Sequence, residues 1–219
     1  SPVLNFCNIF HILRKGLFSS LYRKITLLLL VMLTMVFDLQ ATHLRAGQIT
    51  VTADPNNARG FWITVEVWTN TRNTSVLFGG EQDILDFGDL TMMFVPETQN
   101  QAGKPDKPPL PPGVAYASFT TYHEYIAPGV YTISYREPNR NEGVLNMDAS
   151  VNTQFYLETQ IVIDPFYGIN NSPRLEVDPI DRACPGVAST HNPGAYDPDS
   201  QDSISYALVI PFSNRRTAV

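Results

Sequence analysis

The sequence predicts an all-β protein, an antiparallel β-sandwich followed by a second β module that is cut short. Three observations predict it. Apolar and polar residues alternate with period 2 through most of the chain after residue 42, and no stretch there carries a helical apolar stripe. Turn-forming residues recur at the interval of a sandwich, giving about seven strands in about 120 residues. Pro (17) and Gly (13) are frequent enough to supply that many short connections.

The elements follow in order. "HLRAGQITVTAD" (His43–Asp54) alternates through Ile49 and Val51, and "NNARG" after it is a turn. "FWITVEVWTN" (Phe61–Asn70) sets Phe61, Ile63, Val65 and Val67 on one face and Trp62, Thr64, Glu66 and Trp68 on the other. "DILDFGDLTMMFVP" gives short strands on either side of "FGD". "QAGKPDKPPLPPG" (Gln101–Gly113) holds five prolines and cannot be a strand interior, because Pro lacks the ladder donor. It is expected to be an extended, solvated hairpin loop. Two strands follow around "APG" (Ala127–Gly129), the second with Tyr131, Ile133 and Tyr135 on one face, and "TQFYLETQIVIDP" (Thr153–Pro165) closes the set. Residues 42–164 therefore form the sandwich. Pro165, Gly168 and Pro173 flank a polar "NNS" and make 165–172 a linker. The pattern restarts over 173–219, ending in an expected strand "SISYALVIP", and the whole is expected to be a piece of a longer protein.

Residues 1–41 read as a leader. Arg23 and Lys24 precede the apolar run Ile25–Phe37, and Ala41 follows as a small residue suited to cleavage, the pattern of a secretory signal. The run is shorter than the roughly 20 residues that span a bilayer, so no stable membrane span is expected after cleavage. The first Met is Met32, which leaves residues 1–22 as a poor fit to any leader.

The charge balance disfavours nucleic acid as a partner. Lys and Arg number 15 against 21 acids, and no basic cluster lies beyond the first 24 residues. A net-acidic secreted chain attracts divalent cations instead. Of two cysteines, Cys7 lies in the leader, so Cys184 has no internal disulfide partner after cleavage.

Nothing marks an enzyme. No G-x-S-x-G, H-E-x-x-H or P-loop is present. Asp86-Phe87-Gly88 has none of the other kinase elements, and Gly88 and Asp89 read as turn formers. His123 and Glu124 are adjacent in a strand and face opposite ways, while His43 and His191 read as turn or surface residues. A non-catalytic protein is expected.

Two sets of residues have the chemistry of a binding site. In "HNPGAYDPDSQDSISYALV", Asp197, Asp199 and Asp202 can converge in a tight turn, and calcium takes six to eight oxygen ligands. The EF-hand spacing does not fit, and an ordinary acidic turn would read the same way. The second set is Trp62 and Trp68, six apart on one strand face, which could stack sugar rings or simply pack a core.

"ATHLRAGQITV", "FGDL", "APGVYTISYREPNRNEGVLNM", "NTQFYLETQIVIDP" and "HNPGAYDPDSQDSISYAL" together resemble the large gliding-motility-associated secreted surface proteins of Bacteroidetes, with their PKD-like and cadherin-like modules. The resemblance implies an Ig-like or PKD-like sandwich followed by a truncated cadherin-like module. It implies type IX secretion to the outer surface and a role in adhesion, structure or gliding. Asp164, Asn170 and Asn171 resemble a cadherin inter-module linker, where they would share calcium with Asp197 and Asp199. The acidic turn departs from the family's "DPDGD" at Ser200 and Gln201, and Gln201 removes a charge. Partners would be other modules of the same chain and surface glycans or proteins. The rival expectation is a carbohydrate-binding or accessory module of a secreted polysaccharide hydrolase.

Overall fold

Alternation on the longest strand sets the architecture. In the computed structural model, Phe61, Ile63, Val65 and Val67 are all at most 3% exposed, so one face of their strand is wholly inside. The structure describes residues 25–26, 44–71, 77–138, 140–145, 147–166, 168, 170–180, 184, 186–199, 202–214 and 217–218. The chain divides into two compact units, Ser1–Gln40 and Ala41–Val219. Of the first unit only Ile25 and Thr26, which are helical, are described, so the rest of the expected signal segment and Cys7 lie outside the described residues, as does His43. No helix among the described residues is long and apolar enough to cross a membrane.

The second unit is all-β. β1 (Leu44–Asp54), β2 (Asn57–Asn70) and β5 (Val114–Glu124) form one antiparallel sheet in the order β1-β2-β5. β3 (Ile84–Asp86), β4 (Met92–Phe94), β6 (Gly129–Glu137) and β7 (Phe155–Ile163) form the other, in the order β4-β3-β6-β7. The inner faces supply one core. Ile49, Val51, Ile63 and Val65 from the first sheet cluster with Leu85, Ile133, Tyr135 and Ile161 from the second. Each of these sits at an alternate position, as a two-layer β-structure requires.

The turns form where their residues dictate. Asn56 N–H donates to Asp54 Oδ1, closing the β1–β2 hairpin. Gly88 has φ +85°, and a Cβ there would lie 2.6 Å from the carbonyl oxygen of Thr132. Asp89 Oδ1 accepts from the N–H and the hydroxyl of Thr91, which holds the β3–β4 turn as its residues predict.

Beyond β7 the strands are short. β8 (Arg174–Leu175) pairs with β9 (Ala195–Tyr196), and β10 (Phe212–Asn214) pairs with β11 (Thr217–Ala218). The stretch that follows the sandwich is fastened to β1. Ser172 N–H donates to the Val51 carbonyl, Ser172 Oγ accepts from Val51 N–H, and Asn171 Oδ1 accepts from Ala53 N–H. These groups occupy the ladder sites of an edge strand and keep them from foreign strands.

Two expectations are corrected. The strand expected in "SISYALVIP" has no ladder partner across 203–211 among the described residues, and Leu208 and Ile210 stand exposed. Alternation marks a chain able to pair, but a strand also needs a neighbour. The proline-rich loop is not simply solvated. Its Lys104 lies 4.9 Å from the Trp68 ring centroid and forms a 2.9 Å ion pair with Glu66, with both charged side chains less than 15% exposed.

Candidate functional site

The acidic turn assembles as its residues suggest. Asp197, Asp199 and Asp202 each bring a carboxylate oxygen within 4.8 Å of the others. The backbone helps build this: Asp197 Oδ1 accepts from Asp199 N–H, and Asp202 N–H donates to the Asp199 carbonyl. Asp199 also reaches outward, where its two carboxylate oxygens accept from the N–H and the Nδ2 of Asn171. Each of those oxygens retains a second lone pair, so the Asn171 contacts leave the carboxylate able to ligate a cation.

The other proposed ligands have different engagements. Asn171 directs its Oδ1 to Ala53 N–H on β1. Asn170 is exposed. Asp164 bridges to Gly168 and accepts from Phe166 N–H, so its carboxylate closes its own turn. Ser200 and Gln201 lie outside the described residues.

The outer face of the three-stranded sheet is the second region. The register stacks its residues in rows: Gln48, Glu66 and Ser118; Thr50, Thr64 and Thr120; Thr52, Trp62 and Tyr122. The two tryptophans share this face by sequence, but their surroundings separate them. Trp62 is 50% exposed, with its ring centroid 5.0 Å from that of Tyr122. Trp68 is 1% exposed, packed against Tyr116 and covered by Lys104. Of the two tryptophans, expected to stack sugar rings or pack a core, Trp68 is packed, because the proline-rich loop folds over it, and Trp62 keeps an open ring.

Residues from four segments meet further along the same face, beginning at the row after Trp62. A cleft of about 240 Å³ is lined by Gln48 and Thr50 of β1, Thr64 and Glu66 of β2, Lys104 and Lys107 of the proline-rich loop, and the stretch 174–176. Glu66 is its fixed centre, accepting from Tyr116 Oη, Gln48 Nε2 and Lys104 Nζ. Burial alone would raise the Glu66 pKa, but these hydrogen bonds and the Lys104 charge outweigh it and hold the carboxyl below its ordinary value. On the rim, Arg174 Nε bonds Glu176 Oε1 at 2.6 Å, and Lys107 donates to the Glu176 carbonyl. Sequence reasoning missed this cleft. The only readable hint was a charged Glu66 between two tryptophans.

A further pair joins the two sheets. His123 Nε2 lies 2.8 Å from Asp89 Oδ2, and the imidazole stacks on Phe87 with centroids 4.0 Å apart. Burial works to raise the Asp89 pKa, but bonds from Thr91 and His123 leave it lowered. Glu124 pairs instead with Arg59, in keeping with its opposite facing. Cys184 and His191 are both exposed.

The chain matches no protein-family model, no curated protein and no solved structure in comparisons of all three kinds.

Proposed function

We propose that this chain is a non-catalytic, modular protein of the secreted or outer-surface kind, adhesive or structural in role, in which calcium stiffens the connection beyond the sandwich. The carrying observation is the Asp199–Asn171 contact. It ties an acidic turn to the stretch that runs along β1, and that turn holds three converging carboxylates. A cation on Asp197, Asp199 and Asp202 would neutralise their mutual repulsion and lock the turn against the sandwich. The strand order, β1-β2-β5 facing β4-β3-β6-β7, is compatible with an Ig-like or PKD-like sandwich, and the sequence resemblance to gliding-motility-associated surface proteins supports the same reading.

Calorimetric titration of the full chain with calcium tests it. A dissociation constant of about 0.1–1 mM, typical of extracellular modules, is expected. It should be lost in the double variant Asp197→Asn/Asp202→Asn, which leaves the Asp199 contact with Asn171 in place. Absence of heat at millimolar calcium from a folded chain would overturn the calcium reading.

A further inference from the structure

The outer face of the β1-β2-β5 sheet has the composition of a ligand site, polar rows with an open aromatic at one end, and its Gln48 and Glu66 also fasten Leu175 and Lys104 to the sheet. Three rows of hydroxyl, amide and carboxylate side chains lead from the exposed Trp62 to the cleft around Glu66. From Trp62 to Glu66 is four strand residues, about 14 Å, the reach of a short oligomer rather than a single small molecule. Trp62 is half exposed although its neighbours on the inner face are buried, and Tyr122 beside it is 37% exposed.

The aromatic end is held in place. A Cβ at Gly60 would lie 1.9 Å from Tyr122 Oη, so only glycine lets that ring cross β2. The hydroxyl then donates to Asp54 Oδ2 and accepts from Asn57 Nδ2. The polar end is equally fixed, since Glu66 and Lys104 are each engaged and nearly buried. Preorganised groups lose little freedom on binding.

We infer that this face binds a carboxylate-bearing oligosaccharide, with Trp62 stacking one sugar ring and Lys107 and Arg174 meeting the acid groups. The C–H faces of a pyranose carry slight positive charge and suit the negative face of an indole. A row of Thr50, Thr64 and Thr120 can donate to and accept from sugar hydroxyls. Lys104 answers Glu66 within the cleft wall, which leaves Lys107 and Arg174 facing Glu176 alone on the rim. That rim is cationic in a chain whose net charge is −6, so it favours an anionic ligand over a neutral one. Of the five N–H groups of Arg174, the bond to Glu176 uses Nε, and the geometry of the rest suits a carboxylate.

This inference uses the adhesive reading only as its setting and supplies the class of ligand for it. It does not depend on the cation, and chelation separates the two. The test is electrophoresis of the full chain through native gels containing polygalacturonate or neutral xylan. Retardation by polygalacturonate, unchanged by chelator and absent with xylan, is expected. Trp62→Ala should weaken it about tenfold. Trp62→Phe should restore most of it, and Lys107→Ala/Arg174→Ala should weaken it at least as much as Trp62→Ala. Equal retardation of Trp62→Ala and the native chain would mean plain charge attraction and would overturn the inference. So would retardation by xylan alone, or by neither polymer. Thermal unfolding of each variant checks that the fold is intact.

Discussion

Asp199 grips Asn171 with both carboxylate oxygens, one on the backbone N–H at 2.6 Å and one on Nδ2 at 2.9 Å. Asn171 in turn serves Ala53 on β1, so a single carboxylate connects the acidic turn to the edge of the sandwich. Replacing Asp199 with Ala removes both acceptors and leaves two donors without their partner. Bonds to a charged group contribute about 1.5–3 kcal/mol each, discounted here because the site is only half-buried. A loss of about 1–3 kcal/mol in urea unfolding is expected. Faster amide exchange at Asn171 and Ser172 should accompany it.

Asp83 gives the protein a pH dependence of unusual sign. Its side chain is 3% exposed, and burial raises its pKa to about 6 despite bonds from Tyr135 Oη and Gly79 N–H. A carboxyl raised in the folded state binds its proton more tightly there than in the unfolded chain. The contribution of Asp83 to stability is therefore most favourable below about pH 4 and declines as pH rises through about 6. The change is about 3 kcal/mol. Asp83→Asn should flatten that part of the stability profile, measured by denaturant unfolding at fixed steps of pH. Glu66 and Asp89, both lowered, act in the opposite sense and lose their contribution as pH falls.

Trp68 and Lys104 test the cover of the outer face. The indole N–H of Trp68 has no hydrogen-bond partner among the described residues. Trp68→Phe should therefore cost far less than Trp68→Ala, for which about 3–5 kcal/mol is expected from the cavity. Lys104→Met strands the Glu66 carboxylate and is expected to cost about 3 kcal/mol at neutral pH. Adding Glu66→Gln to it should recover most of that loss, a coupling read from the double-mutant cycle. If all four chains unfolded at the same urea concentration, the loop would be an appendage.

The strands of the sandwich were legible in the sequence because period 2 is a local property. Phe61, Ile63, Val65 and Val67 announce an inner face wherever their strand goes, and all four are buried. Asp89 as a turn former and Gly88 at positive φ were legible for the same reason. The three aspartates of the acidic turn were also readable as sequence neighbours, since only four positions separate Asp197 from Asp202 and Asp199 is one of them.

Tertiary structure decided what depended on residues distant in the chain. Trp62 and Trp68 carry the same local signal, yet one is open and the other buried. The difference is a lysine in a loop thirty-six positions beyond Trp68. "SISYALV" alternates as cleanly as β2 but gains no ladder among the described residues, because pairing needs a second strand that local sequence cannot supply. The cleft around Glu66 draws on β1, β2, the proline-rich loop and β8, so no single stretch could disclose it. Sequence by itself determined which faces could be buried; only the packed chain determined which neighbours buried them, because burial is a relation between segments.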